Sequence, residues 1–182
     1  MQTEGRVESE AQTVWLIDAA HTTVEFTVKN FFFFNVKGRF SSLAGNMLLD
    51  ESDISGSSVT ASIKAASIDT GLKRRDAHLR SADFLQVDRY PDIRFESTKV
   101  EPGRDRDTLR VTGMLTIKET SREVLLEVNV IDRSCSPNGE QVVYYTALTE
   151  LDRFDFDITY GRGLIGRSLK ITINVQAGRQ AK

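Results

Sequence analysis

Two histidines, His21 and His78, one cysteine, Cys135, and two aspartates two residues apart, Asp155 and Asp157, are the side chains whose types could carry chemistry. A single cysteine closes no intrachain disulfide and builds neither a cysteine-based zinc site nor a CxxC redox motif. Two histidines suit a histidine-rich metal site poorly, so no metal site is expected. On a strand, Asp155 and Asp157 would lie roughly 6.8 Å apart, within the range of hydrolytic carboxylate pairs. If Phe154, Phe156 and Ile158 point inward, however, both carboxylates face solvent and are merely hydrated, outside the cleft that acid/base work requires. His21 follows Asp18-Ala19-Ala20 at a strand entry, the setting of a turn hydrogen bond. His78 lies in a basic stretch with Lys73, Arg74, Arg75 and Arg80. A solvated helix face explains that run, and a positive lid that attracts an anionic head group is its functional reading. Gly161-Arg162-Gly163 followed by Gly166-Arg167 lacks the strand-to-helix context of a phosphate loop, and no nucleophile elbow is present.

Strands must position these groups, because from Val14 onward the dominant period is two. Val24, Phe26 and Val28 alternate with Thr23, Glu25, Thr27 and Lys29, as a half-buried strand requires. The same alternation recurs at Val59 to Ala65, at Ile93 and Phe95, from Leu109 to Ile117, from Val124 to Val130 and from Leu169 to Val175. Strands are expected around 14–18, 22–34, 36–50, 57–66, 93–100, 108–118, 123–131, 141–151, 152–158 and 168–176. The short turn signals between them favour antiparallel neighbours. Thr70 to Gln86 breaks the pattern and reads as a helical insert, with Leu72, Leu79 and Leu85 sharing a face and Tyr90-Pro91 marking the return to extended chain. Small inner residues (Ala61, Ala65, Gly113) mixed with large ones (Phe26, Phe95) suit a barrel with a tapering cavity, and equally suit an interdigitated sandwich.

With 182 residues, 40% hydrophobic and 27% charged, the chain can bury one core without metal or disulfide. A formal net charge of -2 argues against a protein that coats nucleic acid. Residues 1–14 lack the basic-then-apolar order of a secretory signal. The expected location is cytoplasmic, or periplasmic if a signal has been removed. The chain holds 10 Phe against 4 Tyr and 1 Trp, and four of those Phe are consecutive, Phe31 to Phe34. On a strand such a run serves both faces: one pair can line an interior pocket, while the other packs under the insert or is exposed at a rim that docks a partner or membrane.

Ordered motifs add a resemblance. Asp18-x-x-His21, Gly38-x-Phe40, Ser67-Ile68-Asp69-Thr70, Asp76-x-His78-Leu79, Asp83-Phe84, Tyr90-Pro91-x-Ile93-x-Phe95, Gly113-x-Leu115-Thr116-Ile117 and Arg153-x-Asp155-Phe156 follow one another as in the YceI-like, polyisoprenoid-binding proteins. The chain resembles that family over about Trp15 to Gln176. Glu119 and Asp157 stand where the family usually has glycine. The resemblance implies an all-β, antiparallel, up-and-down, lipocalin-like barrel of about eight strands over 14–177, with a helical insert around 70–86 and tails at 1–13 and 178–182. It also implies a non-catalytic binder of a long-chain isoprenoid, a polyprenyl chain or isoprenoid quinone, with no required cofactor. Burying methylenes at roughly 0.8 kcal/mol each lets a tail of about 20 carbons bind with few polar contacts. Phe26, Phe31, Phe33, Phe95 and Phe156 are the expected lining, and Arg74, Arg75, His78 and Asp155 the expected contacts at the mouth. A stress-related interaction module without lipid, and an isomerase or hydrolase acting on an apolar substrate, are the alternatives. Transient membrane contact and a homodimer are further readings left open.

Overall fold

The computed structural model describes residues 12–30 and 34–179; Phe31, Phe32, Phe33 and both chain ends lie outside them. The strands are β1 (Gln12–Ile17), β2 (Thr23–Asn30), β3 (Phe34–Phe40), β4 (Leu43–Asp50), β5 (Ser58–Lys64), β6 (Ile68–Asp69), β7 (Asp92–Pro102), β8 (Thr108–Ile117), β9 (Thr120–Cys135), β10 (Gln141–Asp152) and β11 (Ile165–Arg179). The helix α1 (Lys73–Arg80) lies between β6 and β7, and 3₁₀ turns fill Ile54–Gly56, Ala65–Ser67 and Arg153–Phe156.

All strand pairs are antiparallel, and together they make a closed barrel of eight staves. Three staves are bent and carry two strands each. β1 pairs with β4 and β2 with β3, so residues 12–50 form one long hairpin kinked at 18–22 and 41–42. β4 continues onto β5 while β3 continues onto the two residues of β6. Strands β5, β7, β8, β9, β10 and β11 then follow in order, and β11 closes the ring by pairing with β2 over its first part and with β1 at Gly178 and Ala177. Closure removes the unpaired edges that an open sheet would expose, except along 34–38 of β3, which pair only with β2 among the described residues.

Two glycines make room for two of the inward phenylalanines, Phe26 and Phe95. A methyl at Gly38 would sit 2.3 Å from the Phe26 ring, and one at Gly113 would sit 2.5 Å from the Phe95 ring, so each ring occupies the space a side chain there would need. The short motifs Gly38-x-Phe40 and Gly113-x-Leu115 therefore encode where aromatic rings can lie against the barrel wall.

The structure corrects the strand expectations in three places. Asn30 at the end of β2 pairs with Phe34 at the start of β3, so Phe34 belongs to the return strand rather than to the expected strand over 22–34. Residues 153–156 are a 3₁₀ turn rather than a strand, because the Asp152 carboxylate accepts from the Phe154 amide and Asp157 ends the turn at φ 58°. In the insert only Lys73–Arg80 is helical, and Leu72 lies outside the buried face that Leu79 and Leu85 join.

Both departures from glycine lie beside left-handed backbone, though only one coincides with it. Asp157 adopts φ 58°, a conformation that aspartate tolerates better than most residues. In the two-residue turn between β8 and β9 the left-handed residue is Lys118, also at φ 58°, and not Glu119. Lys118→Gly is therefore expected to stabilise the fold by about 0.5–1 kcal/mol, while Glu119→Gly does not. Chemical denaturation of both variants checks this, and equal effects would contradict it.

Candidate functional site

The inward positions of the staves enclose a cavity of about 460 Å³, within the span of roughly 300–1,000 Å³ usual for ligand pockets. Its wall is built from the alternating residues the sequence pattern singles out: Leu109, Val111, Leu115 and Ile117 of β8, Val124, Leu126 and Val128 of β9, and Leu169, Ile171, Ile173 and Val175 of β11. Phe26 and Phe95 lie on that wall. The interior is therefore open, which settles what the period alone leaves undecided between a cavity and an interdigitated core. One end is sealed by the cluster of Trp15, Met47, Leu49, Val143 and Ala177. The other is roofed by the insert, whose Phe84 and Leu85 pack with Phe26, Ile93 and Phe156.

Polar groups gather at the roofed end. The His78 ring stands nearly perpendicular to two others, with centroids 5.0 Å from Phe84 and 4.8 Å from Tyr160, and its Nε2 meets Asp83 Oδ2 at 2.7 Å. Arg75 donates from Nε to the Thr70 hydroxyl and from Nη2 to the Thr70 carbonyl, and Thr70 in turn donates its amide and hydroxyl to the buried Asp76 carboxylate. Arg80 donates to the carbonyls of Ala66 and Ile68. Two of the four cations in the basic run are thus fasteners that hold α1 over the barrel. The Thr70, Asp76 and His78 motif residues form that fastening and one wall of the mouth.

Arg153 is the most buried charge here, 3% exposed, and its side chain borders the cavity. Its guanidinium donates to four backbone carbonyls, those of Ile158, Tyr160, Ile165 and Gly166, at 2.7–3.0 Å. Burial lowers its pKa, and the adjacent Asp152 opposes that shift. A single side chain thereby fixes the loop between β10 and β11 around the mouth. Deeper in the cavity, burial pushes the Tyr145 phenol above its ordinary pKa, so that wall stays uncharged. The Asn30 Oδ1 is buried beside the mouth without a hydrogen-bond partner among the described residues.

The expected site residues divide accordingly. Phe26, Phe95, Arg75 and His78 border the cavity. Arg74 lies in a shallow outer depression with Leu72 and Lys73. Phe156 is 2% exposed but packs behind the wall, and Asp155 is exposed on the 3₁₀ turn, away from the lining. Phe31 and Phe33 lie outside the described residues. Phe34, of the other expected pair, shares its strand face with Val36 and Phe40 of the cavity wall and stands 69% exposed at the rim. Asn30, Arg153 and Tyr160 were not expected. Strand parity in β10 could have found Arg153, since Tyr145, Ala147, Thr149 and Leu151 all point inward and 153 is the next odd position.

His21 has the turn role expected of it, its Nδ1 meeting Asp18 Oδ2 at 2.7 Å while Asp18 also accepts from the Ala20 amide. The His21 contact holds the Asp18 carboxyl below its usual pKa. Hydrogen bonds from Ser52 and the Asp53 amide do the same for Asp50, and the Arg167 guanidinium does so for Asp152. A carboxylate whose folded pKa lies below its unfolded value contributes stability above that value and loses it as the pH falls through the folded pKa. The melting temperature is expected to be level above about pH 5 and to fall below about pH 4. Asp152→Asn should shrink that acid-side fall; an identical acid limb would contradict it.

A closed antiparallel barrel with an apolar interior and one polar, helix-roofed mouth defines a lipocalin-like binding barrel. The chain belongs to the YceI-like family, whose domain model matches residues 15–177. Protein YceI of Shigella flexneri is 31% identical over 163 residues, covering 90% of this chain and 84% of that one, and a UPF0312 protein of Pectobacterium atrosepticum is similar to the same extent. Among solved structures, BcnA of Burkholderia cenocepacia has a TM-score of 0.79 at 21% identity, covering 88% of this chain and 98% of that one. A polyisoprenoid binding domain from Saccharophagus degradans has a TM-score of 0.70 at 14% identity, covering 90% and 97%. These two likenesses establish the shared fold.

Proposed function

We propose that this chain is a non-catalytic carrier that holds the tail of a long-chain isoprenoid lipid, such as a polyprenyl chain or isoprenoid quinone, inside its barrel. The observation that carries the reading is the 460 Å³ cavity lined almost wholly by aliphatic and phenylalanine side chains. That volume gives room for a run of apolar chain carbons. Burying them at roughly 0.8 kcal/mol each leaves a surplus after ordering costs. Phenylalanine offers this area without a polar atom to satisfy. Asn30, Arg75, His78 and Tyr160 at the mouth offer hydrogen bonds to a polar head without demanding one particular group. The binding assignment of the Saccharophagus relative is consistent with this reading. An enzyme reading needs His78 and a carboxylate together deep in the cavity, whereas His78 and Asp83 meet at the mouth with side chains 42% and 49% exposed.

Organic extraction of denatured purified protein, followed by mass spectrometry, tests the proposal. A polyprenyl compound recovered in stoichiometric amount is the expected result. Absence of any lipid, with no uptake of added polyprenyl compound, would overturn it.

A further inference from the structure

The exposed apolar residues of the barrel are unevenly placed. Of the large hydrophobic side chains exposed among the described residues, Val14, Leu16, Met114, Ile131 and Leu148 lie on strands. The other four, Phe34 at 69%, Leu72 at 57%, Leu164 at 54% and Tyr160 at 46%, all lie in loops or at a strand end around the mouth. Tyr160 touches His78, Leu72 shares the outer depression with Lys73, Arg74 and His78, and Phe34 and Leu164 flank the pair formed by Asn30 and Ile165. At the sealed end the loops 51–57, 103–107 and 136–140 carry none of these exposed apolar side chains, and Ile131, 62% exposed on β9 just past the Thr108–Asn129 pair, stands beside them without a cluster of its own kind.

Charge divides along the same axis. The sealed-end loops carry Glu51, Asp53, Asp105, Asp107 and Glu140 against Arg104 and Arg106, an acidic surplus. The loops at the mouth, 70–91, 118–119 and 153–164, carry eight basic residues against six acidic ones, among them the exposed Asp88, Glu119, Asp155 and Asp157. Of the cations, Lys73, Arg74 and Arg162 stand beside the apolar rim and form no ion pair among the described residues; Arg162 lies over the Phe154 ring instead. Apolar side chains set among unpaired cations match the interface of an anionic bilayer, where the rings and leucines enter the acyl boundary and the cations meet phosphates. The acidic far end is repelled from the same surface, which orients the barrel mouth-down.

From this arrangement we infer that the rim of the mouth is a docking surface for an anionic phospholipid membrane, resting on the reading of the barrel as a lipid carrier. Docking in this orientation aligns the cavity with the bilayer, so an apolar tail passes between them without crossing water. Contact is reversible, because four apolar residues and a few cations give far less area than an inserted helix.

Flotation of the full chain with vesicles of phosphatidylcholine alone, or of phosphatidylcholine with one-third phosphatidylglycerol, tests the inference. Co-flotation is expected with the anionic vesicles only, weakening as salt rises. Leu72→Glu with Leu164→Glu, and separately Lys73→Glu with Arg162→Glu, should each reduce it at least about tenfold. Both pairs should retain lipid already loaded in the barrel, and Ala61→Phe, which fills the cavity, should float like wild type. Equal binding to both vesicles, no binding, or rim variants that float like wild type would overturn the inference. Loss of lipid loading with flotation intact would count against the carrier reading alone.

Discussion

Arg153→Met lowers the melting temperature by roughly 6–12 °C, corresponding to a loss of about 3 kcal/mol for a domain of this size. The magnitude follows from what the guanidinium holds. Four carbonyls, those of Ile158, Tyr160, Ile165 and Gly166, accept from it, and each bond from a charged donor contributes more than a neutral one. Methionine fills a similar space and takes the charged donor away from all four carbonyls. Arg153→Lys recovers only part of the loss, because one ammonium cannot reproduce a planar fork that spans four carbonyls. Arg162→Met is the control: it also lies over the Phe154 ring but donates to none of those carbonyls, and it should cost under about 1 kcal/mol. Thermal unfolding of the three variants separates these outcomes. If Arg153→Met and Arg162→Met are equally mild, the loop around the mouth is held by something other than this residue.

The second large effect is on binding. Ala61 borders the cavity from β5, with Gly45 and Phe95 as its partners across the neighbouring strands. Ala61→Phe places a ring in open space and displaces about four methylenes' worth of a bound tail. At roughly 0.8 kcal/mol each that is about 3 kcal/mol, or on the order of a hundredfold in affinity. Stability should be unchanged or higher, since the ring gains contacts in a space that was empty. Weaker lipid retention without a fall in melting temperature distinguishes loss of the cavity from loss of the fold. Retention equal to wild type would mean that the tail is held elsewhere.

Most of the barrel is legible in the sequence because a half-buried strand must alternate, as β2 and β8 do throughout and β9 and β11 do over 124–130 and 169–175, away from their bulges at Ile131 and between Ile165 and Leu169. The wall residues from Leu109 to Ile117 are readable for that reason. Period two is silent about closure, which depends on β11 being long enough to pair with both β1 and β2. It is also silent about whether the inward residues meet in the middle, a matter of barrel radius. The expected strand over 152–158 fails for a local reason: apolar residues at 154, 156 and 158 imitate a strand, while the Asp152 carboxylate caps a 3₁₀ turn at the Phe154 amide. That imitation hid Arg153, which continues the inward parity of β10. The basic run could not be divided into fasteners and free cations from sequence, because its division depends on which carbonyls of residues 66–70 lie beneath α1. Tyr160 had no periodic signal at all, standing in a glycine-rich loop before Gly161.

If the barrel holds one long apolar chain, delipidated protein takes up a polyprenyl quinone, and native mass spectrometry counts the quinones bound per chain. One quinone per wild-type chain, with uptake sharply reduced in Ala61→Phe, is the predicted result. No uptake by wild-type protein, or equal uptake by both proteins, would contradict it.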